Sequence, residues 1–119
     1  MPDAGSVQFF DALAEMARTS TVVIDRPRNK PHPKIPEAIY PVDYGHLEGT
    51  TSGDGEGIDV FVGSATGAGV VAVLLTADLV KRDTEIKLVL DCTPAEIEAV
   101  RSFLVDVLEI GAHLVTRTN

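Results

Sequence analysis

Between Ser52 and Asp59 the chain reads Ser-Gly-Asp-Gly-Glu-Gly-Ile-Asp, which puts three carboxylates, Asp54, Glu56 and Asp59, within six positions. The glycines between them let the backbone bend and bring the acids together. Like charges that close repel unless a cation sits among them. Hard oxygen donors of this kind suit Mg²⁺ or Mn²⁺, with Mg²⁺ keeping several waters and taking further oxygens from a phosphate. The same composition also suits a solvated Asp-Gly turn. A calcium loop of the EF-hand type is excluded, because Ile58 falls at its fifth position and Ala65 at its twelfth, where oxygen ligands are required. The stretch 63–69 holds no Gly-Lys-Ser/Thr and reads as a turn rather than a nucleotide loop.

A second cluster is basic. Arg26, Arg28, Lys30, His32 and Lys34 recur at every second position of a segment, 25–36, that also holds four prolines. In an extended conformation this period places them on one face, a comb that would grip oxyanions. A polyproline helix would instead spread them around its axis, and an exposed loop would merely solvate them. Four of the 10 Lys and Arg lie here although the net charge is −8. That acidity argues against a nucleic-acid partner and against an anionic membrane, since both need a cationic surface.

The 119 residues suit a single domain spanning 1–119. Mean hydropathy of +0.14 is that of a chain that folds. The longest apolar run, 70–75, suits a buried strand rather than a membrane helix of about 20 residues. The opening Met-Pro-Asp-Ala-Gly shows neither a charged nor an apolar leader, so the expected location is cytoplasmic. The lone Cys92 excludes an internal disulfide and reads as a small, partly buried hydrophobe in a reducing compartment.

These clusters need elements to hold them. Residues 6–17 predict an amphipathic helix capped by Ser6, with Val7, Phe10, Leu13, Ala14 and Ala17 on one face. Strands are predicted at 21–24, 58–62, 70–75 and 86–90, the last two forming a hairpin around Lys81 and Arg82, with a turn-rich loop at 48–57. Thr93-Pro-Ala-Glu is a capping box. The helix after it carries Ile97, Val100, Leu104, Val107 and Leu108 on one face, with Gly111 as its stop and a short strand at 114–115 beyond. Short strands between two terminal helices predict a mainly β (α+β) fold, a small antiparallel OB-like barrel with both helices packed on it. The absence of βαβ alternation disfavours a Rossmann-like sheet.

Three stretches in order, Val-Val-Ile-Asp-Arg-Pro from Val22, Tyr-Pro-Val-Asp-Tyr-Gly-His-Leu from Tyr40 and Asp-Gly-Glu-Gly-Ile-Asp-Val-Phe-Val from Asp54, resemble the soluble (family I) inorganic pyrophosphatases. The chain looks like a shortened member. The resemblance implies Mg²⁺-dependent hydrolysis of inorganic pyrophosphate to two phosphates, with Mn²⁺ as a substitute ion, and a homo-oligomer. It implies metal carboxylates at Asp54, Glu56 and Asp59, with Glu56 activating the attacking water. Asp78 and Asp83 resemble a second metal pair, Glu85 being a competing placement for Asp83. Asp25, Arg28, Lys34, Tyr44 and Lys87 stand where phosphate would be held, Lys34 and Tyr44 assisting departure of the leaving phosphate. The chain departs from the family pattern in four places. Glu56 replaces an aspartate and Gly57 a proline, a segment carrying a phosphate-binding arginine is missing between Glu37 and Ile39, and a C-terminal tyrosine-lysine pair has no counterpart. A binding module without turnover, and a hydrolase of another phosphoanhydride, are the alternatives these departures leave.

Overall fold

The computed structural model describes residues 3–118. A first helix, α1 (Ala4–Thr19), precedes five strands: β1 (Val22–Arg26), β2 (Asp43–Leu47), β3 (Ile58–Val62), β4 (Val70–Asp78) and β5 (Asp83–Leu90). A second helix, α2 (Pro94–Ser102), runs into a π-helical turn at Phe103–Val107, and β6 (Gly111–Thr116) ends the chain's regular structure. The strands form one sheet in the order β1-β2-β3-β5-β4-β6.

The class is the expected one, mainly β with flanking helices. The sheet is not a closed antiparallel barrel, however: it is open, with β1 and β6 as its edges, and β3 runs parallel to β5, Val60 opposite Leu88 and Val62 opposite Leu90. The cause lies in the β4–β5 hairpin. Its second strand, not its first, inserts beside β3, so the turn at 63–69 is a crossover rather than a hairpin loop.

Alternation along the strands splits the core in two. On one face Phe61, Leu74 and Val89 pack with Tyr40 and Val42 against Val100, Phe103 and Leu104. On the other, Leu47, Val60, Val73 and Leu88 pack against Phe10 and Leu13 of α1. The central strands are covered on both sides, which is why β4 reads as a nearly unbroken apolar run. Each buried Leu or Phe adds roughly 1.5–3 kcal/mol relative to exposure.

Both helix ends correct the sequence reading. The α1 cap is Asp3, whose carboxylate accepts from the Ser6 amide at 2.7 Å, so the helix begins before Ser6. The Thr93 capping box is present, with Thr93 and Glu96 each bonding the other's backbone. Gly111 does not stop the second helix. The chain turns at Glu109, with φ 56°, and Gly111 already opens β6. β2, where sequence suggested no strand, is the rail on which the site is built.

The basic comb is not an extended ladder. After Arg26 the chain turns through Asn29 (φ 69°), whose amide donates to the Tyr40 carbonyl at 2.9 Å. It then bridges Pro31 to Ile39 and bends again before Ala38. The five basic residues therefore do not share one strand face. Among the described residues no helix is long and apolar enough to cross a membrane.

Candidate active site

Lys87 is the centre of the polar face. It sits on β5 between Glu85 and Val89, alternating onto the α2 side of the sheet, and is only 6% exposed. Its ammonium donates to the Tyr44 hydroxyl at 2.9 Å, to Asp59 Oδ2 at 3.0 Å and to Glu85 Oε2 at 2.8 Å. An ammonium has three donors, and these acceptors take all of them. Burial works against the charge, but the oxygens of Tyr44, Asp59 and Glu85 outweigh it and hold the Lys87 pKa above its ordinary value. Burial likewise pushes the Tyr44 hydroxyl up, with Lys87 opposing, so the phenol stays protonated.

Strand register explains the convergence. β2 and β3 pair with Tyr44 opposite Phe61 and His46 opposite Asp59, so these four side chains rise from one face. Gly45 is what lets β1 lie against them: a Cβ there would stand 1.8 Å from the Val23 carbonyl oxygen. An aromatic layer floors the site. Tyr44 packs on Phe61 at 4.7 Å and on Tyr40 at 5.5 Å between centroids, and His32 stacks on Tyr40 at 6.3 Å. Arg26, at the end of β1, lies over both tyrosine rings at 5.7 and 5.6 Å and donates to the Tyr40 hydroxyl at 2.5 Å.

The acidic loop is a structured turn. Asp54 Oδ1 accepts from Ser52 Oγ at 2.5 Å and from the Glu56 amide at 2.9 Å. Those bonds hold its carboxyl below the usual carboxylate range, with a smaller contribution from a side-chain contact to Glu85. Ser52 and Gly53 of the same turn line one cavity with Glu85, which sets the turn near the Lys87 cluster. The Glu56 side chain is exposed. Asp25, on β1, bonds His46 Nδ1 at 2.8 Å and raises the imidazole pKa.

The other predicted residues lie apart. Asp78 and Asp83 face each other at the hairpin's end, where Asp78 Oδ1 accepts from the Val80 and Lys81 amides and so shapes the turn. Of the two alternatives for one metal position, Glu85 rather than Asp83 touches Lys87. Arg28 lines a separate polar cleft of about 190 Å³ with Asp43 and Glu96. Lys34 is exposed, its amide bonded to His32 Nδ1. Cys92 is buried, and burial with Glu96 and Asp91 nearby pushes its thiol up to about 12. Sequence reasoning assigned no role to Arg26 beyond the comb and none to His46. Reading 43–47 as a strand would have placed His46 beside Tyr44 by period two.

Among the described residues, no three His, Cys, Asp or Glu side chains stand close enough to enclose an ion. Mg²⁺, though, is commonly held by one or two carboxylates with waters and substrate oxygens completing its shell. Asp59 and Glu85 are two carboxylates brought together by the Lys87 ammonium. A cavity of about 720 Å³ runs between α1 and the β4–β5 strands, walled by Leu13, Met16, Ile58, Leu75 and Ile86 and reaching Glu85 and the Ser52–Gly53 turn. Comparison with protein-family models, with curated proteins and with solved structures gave no match.

Proposed function

We propose that the chain hydrolyses a phosphoanhydride, inorganic pyrophosphate in the first instance, in a Mg²⁺- or Mn²⁺-dependent reaction at the Asp54–Asp59–Glu85 group. The observation that carries this reading is the convergence of Tyr44, Asp59 and Glu85 on a buried Lys87, with the loop that holds Asp54 near Glu85. The sequence resemblance supplies the substrate.

A divalent ion bound there with substrate would polarise the phosphoryl oxygens and lower the pKa of a water toward neutrality. The chain's own residues do the rest. Lys87 holds Asp59 and Glu85 side by side against their repulsion and so keeps the donor set assembled without an ion. Tyr44, neutral and packed on Phe61, keeps a hydroxyl beside Asp59 and Lys87. Glu56, on the glycine-rich turn, is the side chain free to orient the attacking water. The aromatic floor keeps bulk water from below, which strengthens each charge interaction above it.

Cytoplasmic location and self-association belong to this proposal, resting on the lone buried cysteine and on the resemblance. The acidic chain gives no support to a nucleic-acid partner. The second reading is binding without turnover, favoured by Lys87 already spending its donors on protein oxygens. Phosphate release from pyrophosphate with Mg²⁺ or Mn²⁺ tests the proposal. Release supports it, while calorimetric binding with no release selects the second reading.

A further inference from the structure

Asp25 and His46 are not among the partners of Lys87, yet the backbone is shaped to bring the two together. The β1–β2 pairing is irregular at Asp25: Ile24 lies opposite Gly45 and Arg26 opposite Tyr44, so Asp25 is an extra residue in the ladder. Such a bulge re-aims side chains, and bulges recur beside functional sites. Here it sends two consecutive side chains of β1 to one side. Arg26 covers the Tyr44 ring at 5.6 Å, and Asp25 reaches His46 Nδ1 at 2.8 Å. Tyr44 and His46, two apart on β2, share that face of the sheet.

The imidazole held in this way lies against the acidic turn. His46 pairs with Asp59 across β2 and β3. Its ring also leans over Gly57: a Cβ there would stand 3.1 Å from His46 Cδ2 and 3.3 Å from the Leu47 carbonyl oxygen, both tighter than ordinary van der Waals contact. Glycine at 57 is thus what lets the ring come so close. The turn that Gly57 joins to β3 is closed on itself, the Ser52 amide donating to the Glu56 carbonyl at 2.7 Å and the Gly55 amide to the Ser52 carbonyl at 3.0 Å. A closed turn on a glycine stem has torsional freedom to swivel. A ring packed against the stem takes that freedom away.

We infer that Asp25 and His46 are positioning residues for the acidic turn. Asp25 fixes the His46 ring, the ring props the Gly57 stem, and the stem sets where Asp54 and Glu56 stand relative to Asp59 on β3. This rests on the phosphoanhydride reading of the site. It gives Asp25 a hold on His46 in place of a direct hold on phosphate, and it names what steadies the Glu56 arm that orients the water.

Phosphate-release kinetics with magnesium pyrophosphate, urea midpoints and amide NMR spectra of the same proteins test the prop. His46→Ala and Asp25→Ala should each lower kcat by about one to two orders of magnitude, the scale of a misplaced reacting group, with KM nearly unchanged. The double variant should be little slower than either single one, because the two residues act as a unit. Asp25→Asn, whose amide oxygen still accepts from Nδ1, should recover much of the loss. Gly57→Ala should slow the wild type by displacing the ring and have a smaller effect in His46→Ala, where the ring is gone. A raised KM at constant kcat would make Asp25 a substrate contact and overturn the inference, as would variants that lose stability but keep their kcat. The Gly53 and Gly55 amide resonances read the turn without turnover and should move in Asp25→Ala. If they move but the wild type releases no phosphate, the prop stands and hydrolysis falls. If they stay in place while the wild type releases phosphate, the prop falls and hydrolysis stands. Neither movement nor release overturns both.

Discussion

Replacing Lys87 with Met keeps an unbranched apolar stem, one atom shorter, and removes the ammonium. Asp59 and Glu85 then face each other without the charge that joins them. Breaking a fully buried ion pair costs about 3–5 kcal/mol. Here the Asp59 and Glu85 side chains keep 27% and 19% of their exposure, so water screens part of the repulsion. The expected loss is therefore about 2 kcal/mol, measured as a lower urea midpoint with an unchanged slope. If the proposed metal site is present, a divalent cation should take over the role of Lys87 in this variant. Mg²⁺ at many times its dissociation constant should return about 1–2 kcal/mol, by preferential binding to the folded chain. Urea unfolding of wild type and Lys87→Met, with and without Mg²⁺, reads both effects. A loss below about 0.5 kcal/mol, or a Mg²⁺ response no greater than that of wild type, would refute the view that Lys87 holds a cation-seeking carboxylate pair together.

Two further outcomes follow from the geometry. Asp25 raises the His46 pKa, so the pair's contribution to stability is fully present below the unfolded value of about 6.5 and fades as pH rises through the folded value. Asp25→Asn should bring the imidazole titration, followed by NMR, back down and lower stability in mild acid but not in mild alkali; an unmoved titration contradicts the pairing. Gly45→Ala forces a Cβ into the Val23 carbonyl and should cost about 3 kcal/mol or more by separating β1 from β2, whereas a near-wild-type unfolding curve would show that the strands are not in this close register.

The elements with strong local signals were legible in the sequence. The Thr93 capping box and the apolar runs of β3, β4 and β5 declare themselves through side-chain chemistry that acts within a few residues. β2 did not, because Tyr44, Gly45 and His46 read as a turn when taken alone and become a strand only when β1 and β3 pair on either side. The parallel β3–β5 pairing is non-local for the same reason: the hairpin is readable, but which of its strands meets β3 depends on packing against both helices. In the site, period two along β5 put Asp83, Glu85 and Lys87 on one face, yet only position along the strand decides that Glu85 reaches Lys87 while Asp83 remains at the turn. The comb failed because Asn29 adopts a left-handed conformation that breaks the alternation.

The central claim is that Asp54 and Asp59 belong to a metal-dependent phosphoanhydride site, and phosphate release from magnesium pyrophosphate tests it most directly when wild type is set beside Asp59→Asn and Asp54→Asn proteins whose circular dichroism shows them folded. The account predicts release by the wild type that needs the divalent ion and falls by about two orders of magnitude or more in both variants, the scale on which an electrostatic catalytic group acts. Release that is undiminished in the variants, or that proceeds equally in EDTA, would contradict it.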